Sequence, residues 1–436
     1  MSTPRTDLQQ HIDGLRICDT HEHTRAERVW VEQGPDILEA LFGNYTPGDL
    51  LAAGLPAPAL QRLRDPTDPD LEARLAPVRP FLERIRFTGY GEALATLAGL
   101  YRIHDWTRAE LEAGQRQLRE WRRPGQRHRL LHDVALLDHV QVDDGLRPCL
   151  PDPSGPEFFL CDLSWLELSS GELDVQALYA ETGITVGDLP GLRRAIEATF
   201  ERHAACAVAV KCNMAYRRTL RWQERWDAEA ATALDCVLRQ GREAALEARL
   251  CLGDWALARA AELAAVHRVP VKVHTGYLAG NWRIPDLDRL RPAHVSSLLL
   301  RYPETRFVLL HMGYPYTGET LALAKHFPNV WVDMCWAWSC DPQEARAFLR
   351  RFLHTVPHNK LLAFGGDTGW PTSTVAYALQ ARRWLGRALQ DEVDEGLVTE
   401  RQAMDLATGC LRRNHDACFD LEGTRAAIRA AANTTA

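Results

Sequence analysis

A (β/α)8, or TIM, barrel is the fold this 436-residue sequence predicts. Three observations support it. Eight short apolar runs rich in β-branched residues recur along the chain. They are separated by helical patterning, as expected of buried parallel strands joined by crossover helices. Several runs also end in polar residues, and a barrel builds its site at the C-terminal ends of its strands.

The predicted strands fall at 15–19, 134–139, 158–163, 207–212, 269–274, 307–311, 330–334 and 361–365. The stretch 30–130, after the first strand, is too long for a barrel loop. It holds helical patterns at 71–87 and 108–123, broken by Pro-rich turns around Asp65-Pro66-Thr67-Asp68-Pro69, and is expected to form a helical insertion capping the pocket. The stretch 222–267 has room for two helices. No repeat or low-complexity linker divides the chain, so one elaborated domain over 1–436 is the simplest account.

Composition narrows the function classes. A net charge of -7 with no long basic run argues against nucleic-acid binding. No window reaches the roughly 18 apolar residues of a membrane span. The polar start of the chain lacks the apolar stretch of a signal peptide. Eleven cysteines, an odd number without CxxC spacing, fit reduced thiols in a cytoplasmic protein.

Asp19-Thr20-His21-Glu22-His23 closes the first run. Strand side chains alternate, so His21 and His23 share a face while Glu22 points away. Two imidazoles on one face make half of a metal site. Alone the pair is a weak signal, but other strand ends add Lys211, His274, His311 and Asp367. Each has an ordinary reading: a carbonyl-bonded histidine, an ion-paired lysine, a helix-capping aspartate. Together they favour a metal-binding rim, because buried polar groups are costly without partners.

With these residues in place the chain resembles the amidohydrolase superfamily. Asp-Thr-His-Glu-His, His-Thr-Gly-Tyr and His-Met-Gly-Tyr-Pro are most similar to its amidohydrolase-related branch, and the long insertion is similar to that of uronate isomerases. The resemblance implies one or two divalent metals held by His21, His23, His274, His311 and Asp367, bridged by a carboxylated Lys211. Zinc is the first expectation, and manganese, iron or cobalt suit the same ligands. Three roles for Lys211 stay open: the bridge, a substrate-binding lysine acting with Arg217 or Arg218, or an ion pair. His311 is either a ligand or an electrophilic catalyst.

Zinc lowers the pKa of its water from about 15.7 to about 7, and Asp367 is placed to take the proton. The resulting expectation is a hydrolase cleaving an amide, ester or lactone in a small anionic substrate. Arg217, Tyr216, Trp282 and Tyr314 are the candidate substrate contacts, since Arg matches carboxylates bidentately. The alternatives are a metal-dependent decarboxylase or uronate-type isomerase on the same barrel, and a non-enzymatic metal-binding scaffold. Barrel enzymes often associate, but no interface is legible.

Overall fold

The computed structural model describes residues 6–280 and 286–435. Eight parallel strands follow in chain order: β1 (Ile17–Glu22), β2 (Leu137–Val142), β3 (Phe159–Ser164), β4 (Ala207–Cys212), β5 (Val271–Val273), β6 (Phe307–Leu309), β7 (Val330–Asp333) and β8 (Leu361–Leu362). Each pairs with the next from β1 to β8. Backbone bonds beyond β8 carry the ring round to β1: Thr20 N donates to Phe364 O at 3.1 Å, Asp367 N to His21 O at 2.8 Å and His23 N to Thr368 O at 3.0 Å. The predicted barrel is present.

Strand ends differ from expectation where the site forms. β1 runs on to Glu22, so His21 lies within it. β5, β6 and β8 stop short of His274, His311 and Asp367. His311, Met312, Trp336 and Asp367 have φ of 62°, 46°, 62° and 56°, left-handed backbone that breaks a strand and is uncommon for side chains of this size. Such strain gathers where surrounding structure over-determines it, typically at functional sites.

One regularity fails. Every strand was expected to lead into a helix, yet among the described residues none lies between β2 and β3. The connection 143–158 lies over β3 instead, with Cys161 Sγ donating to Leu150 O. The 222–267 stretch does form two helices, Asp227–Gln240 and Leu246–His267.

Between β1 and β2 the chain forms successive helices from Glu27–Gln33 to Gln126–Arg129. The pattern expected over 71–87 splits into Leu71–Leu75 and Arg79–Ile85, because Pro77 disfavours helix at the residue before it and Pro80 suits a first turn. Arg108–Trp121 starts at a capping box of Thr107 and Glu110. This helical segment docks on the barrel through Gly89–Leu100. A Cβ on Gly89 would sit 2.1 Å from Ser339 O, so only glycine allows this approach. Glu92 accepts from Trp384 Nε1 at 2.7 Å and pairs with Arg383.

The barrel interior carries a polar layer: Asp19, His139, Gln141, Asp162, Lys211, Lys272 and Asp333 are all buried. Lys272 Nζ donates to both oxygens of Asp162 at 2.8 Å and to Thr20 O at 2.7 Å, so all three of its protons are used. Among the described residues no helix is long and apolar enough to cross a membrane.

Candidate metal centre

His21 and His23 leave β1 with ring centroids 4.7 Å apart. The turn after β8 brings Asp367 against both: Oδ1 lies 3.4 Å from His21 Nε2 and 3.3 Å from His23 Nε2. Two donors of a tetrahedral zinc stand about 3.3 Å apart when each bond is about 2.0–2.1 Å, so this spacing matches ligands of one ion. His23 Nδ1 meets Asp143 O at 2.7 Å. A carbonyl can only accept, so Nδ1 carries the proton and the Nε2 lone pair faces inward.

The same logic applies after β5 and β6. His274 Nε2 donates to Tyr277 O at 2.9 Å, and His311 Nδ1 to Cys335 O at 3.1 Å. The remaining nitrogens, His274 Nδ1 and His311 Nε2, then face each other at 3.0 Å, lone pair to lone pair. Burial pushes the His311 imidazole down to about 4 and His274 well below its usual range, with the His311 and Lys211 charges adding to the latter. Neither supplies a proton at neutral pH, so the contact lacks a donor and is one that a cation would satisfy. The donor set fits a divalent metal.

Lys211 is fully buried and meets His21 Nε2 at 3.0 Å; among the described residues no carboxylate pairs with it. Burial, then the Lys211 charge, depresses His21. Burial works against ionisation of Asp367, but the His23 hydrogen bond and the neighbouring positive charges hold its carboxyl below the usual range. The Asp367 carboxylate therefore stays ionised at neutral pH. Burial lifts the Cys335 thiol, keeping it protonated although it lies within 4.8 Å of His311 and Asp367 donor atoms.

The proposed substrate contacts scatter. Tyr216 packs edge-on to His274 with centroids 4.9 Å apart. Tyr314 lies against Tyr277 at 5.8 Å. Arg217 turns to Glu172, which Arg242 also approaches, and Arg218 is buried on Asp254. Trp282 lies outside the described residues. Glu22 does leave the His21 face, but it is buried and accepts from Thr368 N at 2.6 Å. A Cβ on Gly366 would sit 1.9 Å from its Oε1, which explains the glycine before Asp367.

Two contributors escaped the sequence reading. Asp143, after β2, groups with His21 and His23 and accepts from Asn213 Nδ2 at 2.7 Å; its position just past a strand was an available signal. Tyr45, from the helical segment, donates its hydroxyl to Asp367 O at 2.6 Å, and nothing local announced that. Asp333 acts at one remove: it accepts from Cys335 N at 2.7 Å, fixing the turn whose carbonyl orients His311.

The amidohydrolase family profile matches residues 240–399, the stretch carrying His274, His311 and Asp367. That part of the chain is similar to the amidohydrolase family. Protein fluG of Emericella nidulans is 34% identical over 178 residues, a match spanning 39% of this chain and 20% of that protein. The glucuronate isomerase of Caulobacter crescentus superposes with a TM-score of 0.78 at 15% identity, over 95% of this chain and 93% of its own. The uronate isomerase of Thermotoga maritima gives 0.75 at 14%, over 94% and 96%. At such identities these likenesses establish the barrel fold and not the reaction.

Proposed function

We propose that this chain is a metal-dependent hydrolase acting on an amide, ester or lactone bond in a small molecule. The observation that carries the reading is the inward convergence of lone pairs from His21, His23, His274 and His311 around the ionised Asp367. His21, His23 and Asp367 would hold one ion and His274 and His311 a second, with a carboxylated Lys211 between them. A bound zinc-type ion polarises the substrate carbonyl and makes hydroxide available near neutral pH.

The chain's own residues supply the rest. Asp367, ionised and beside both histidine pairs, takes the proton of the attacking water and returns it to the leaving group. Cys335 O and Tyr277 O fix the tautomers of His311 and His274, keeping their lone pairs inward. Lys211 lies in register beside Lys272 across β4 and β5. Two ammonium groups side by side in a buried layer repel, and conversion of Lys211 to a carbamate removes that repulsion.

A uronate-type isomerase needs a cation for the sugar carboxylate, and Arg217 is committed to Glu172; hydrolysis is therefore preferred. The deciding experiment is elemental analysis of protein purified with bicarbonate and without chelator, followed by turnover of amides, esters, lactones and uronates. About two equivalents of metal with chelator-sensitive hydrolysis is the expected result. Failure to bind metal after reconstitution, or isomerisation of a uronate without hydrolysis, would overturn the reading.

A further inference from the structure

Where the helical segment meets the rim, a cavity of about 250 Å3 opens between Asn44, Tyr45, Asp49, Tyr90, Tyr277 and Trp336, among others. Three of its walls each touch a candidate metal ligand. Tyr45 donates to Asp367 O. Trp336 stands edge-on to His311, with centroids 5.4 Å apart. Tyr277 O accepts from His274 Nε2. The rings also pack on one another: Tyr45 lies 4.5 Å from Trp336 and 5.5 Å from Tyr90, and Tyr277 lies 5.8 Å from Trp336. The cavity is thus one side chain removed from the metal centre and walled by aromatic rings.

Its charged groups are already engaged. Arg64, on the same lining, makes two 2.9 Å bonds to Glu39. The Asp49 carboxyl accepts from Thr88 Oγ1, and burial raises its pKa. Trp336 is 2% exposed, a packed wall whose Nε1 does not open onto the cavity.

We infer that this cavity is the recognition subsite for a planar aromatic group of the substrate, held against Tyr45, Tyr277 and Trp336. An apolar cavity of about 150 Å3 accommodates benzene, so the space here is sufficient for a substituted six-membered ring. The proposal deepens the hydrolase reading: it gives the bond to be cleaved an aryl or aryl-substituted neighbour in place of the sugar acid an isomerase would take.

The test reads binding and not turnover, using benzyl alcohol and cyclohexylmethanol, which present the same hydroxyl and cannot be hydrolysed. Ligand-observed NMR titration of the full chain as purified should show benzyl alcohol binding about five-fold tighter, the scale of an aromatic pairing preference. Trp336→Phe should keep the ring preference. Trp336→Leu should abolish the preference. Because that change opens a packed position, Tyr277→Leu, half-buried on the facing wall, serves as the second variant and should reduce it too. Equal binding of the two alcohols, or a preference untouched by both leucine variants, would overturn the inference. Neither result depends on metal content or hydrolysis, so the subsite and the hydrolase reading can fail separately.

Discussion

Lys211 and Lys272 are register partners on adjacent strands, both fully buried inside one barrel, yet their surroundings differ completely. Lys272 spends its three donors on Asp162 and Thr20 O, a closed arrangement that leaves nothing for a ligand. Lys211 has one imidazole nitrogen at 3.0 Å and no counter-ion among the described residues. A buried ammonium without a carboxylate is expensive, and a protein tolerates that expense where the group has work to do. The difference separates, within one buried layer, a lysine locked by internal pairing from one left without a counter-ion.

The largest expected effect tests the locked lysine. Lys272→Met leaves Asp162 buried and uncompensated, and should lower unfolding free energy by about 3–5 kcal/mol in denaturant titration. Lys211→Met strands no opposite charge, so it should stay within about 1 kcal/mol of the parent while metal content drops below two equivalents. Equal destabilisation by both substitutions would erase the distinction.

A smaller effect is set by pH. His415 is fully buried, and burial, with the nearby His139 charge adding, pushes its imidazole down to about 3. Since the folded pKa lies below the unfolded one, the unfolded chain takes the proton first as pH falls. The stability that neutral His415 contributes is present above about pH 6.5 and is lost progressively on acidification towards pH 3. This group alone should account for about 2 kcal/mol between pH 7 and pH 5, read as a slope of unfolding free energy against pH that flattens in His415→Gln. An unchanged slope would remove His415 from the pH dependence of stability. The smallest effect is at the rim: Tyr45→Phe deletes one hydrogen bond and should cost about 1 kcal/mol, with hydrogen exchange rising around Asp367. No change there would mean that the hydroxyl contact is incidental.

The barrel was legible because buried parallel strands advertise themselves as apolar runs, and the rim because ligand-type residues stood at the ends of those runs. His21, His23 and Asp367 needed only strand alternation and chain order to be placed together. What escaped was long-range. Lys272 looked like one residue of a strand, since Asp162 stands 110 positions upstream. Arg217 looked free because Glu172 is 45 positions away. The missing helix between β2 and β3 left no trace in a stretch whose composition suits a loop as well as a crossover.

The hydroxyl of Tyr45 reaches the carbonyl of Asp367 across 322 positions of chain, and this bears on modularity. A segment hung on one barrel loop invites treatment as an accessory that could be trimmed to make a minimal enzyme or exchanged to retarget specificity. Here a donor carried by that segment holds the very turn that presents the aspartate. A transplanted cap would therefore have to bring a matching donor, and a trimmed barrel would lose an anchor of the turn that presents Asp367.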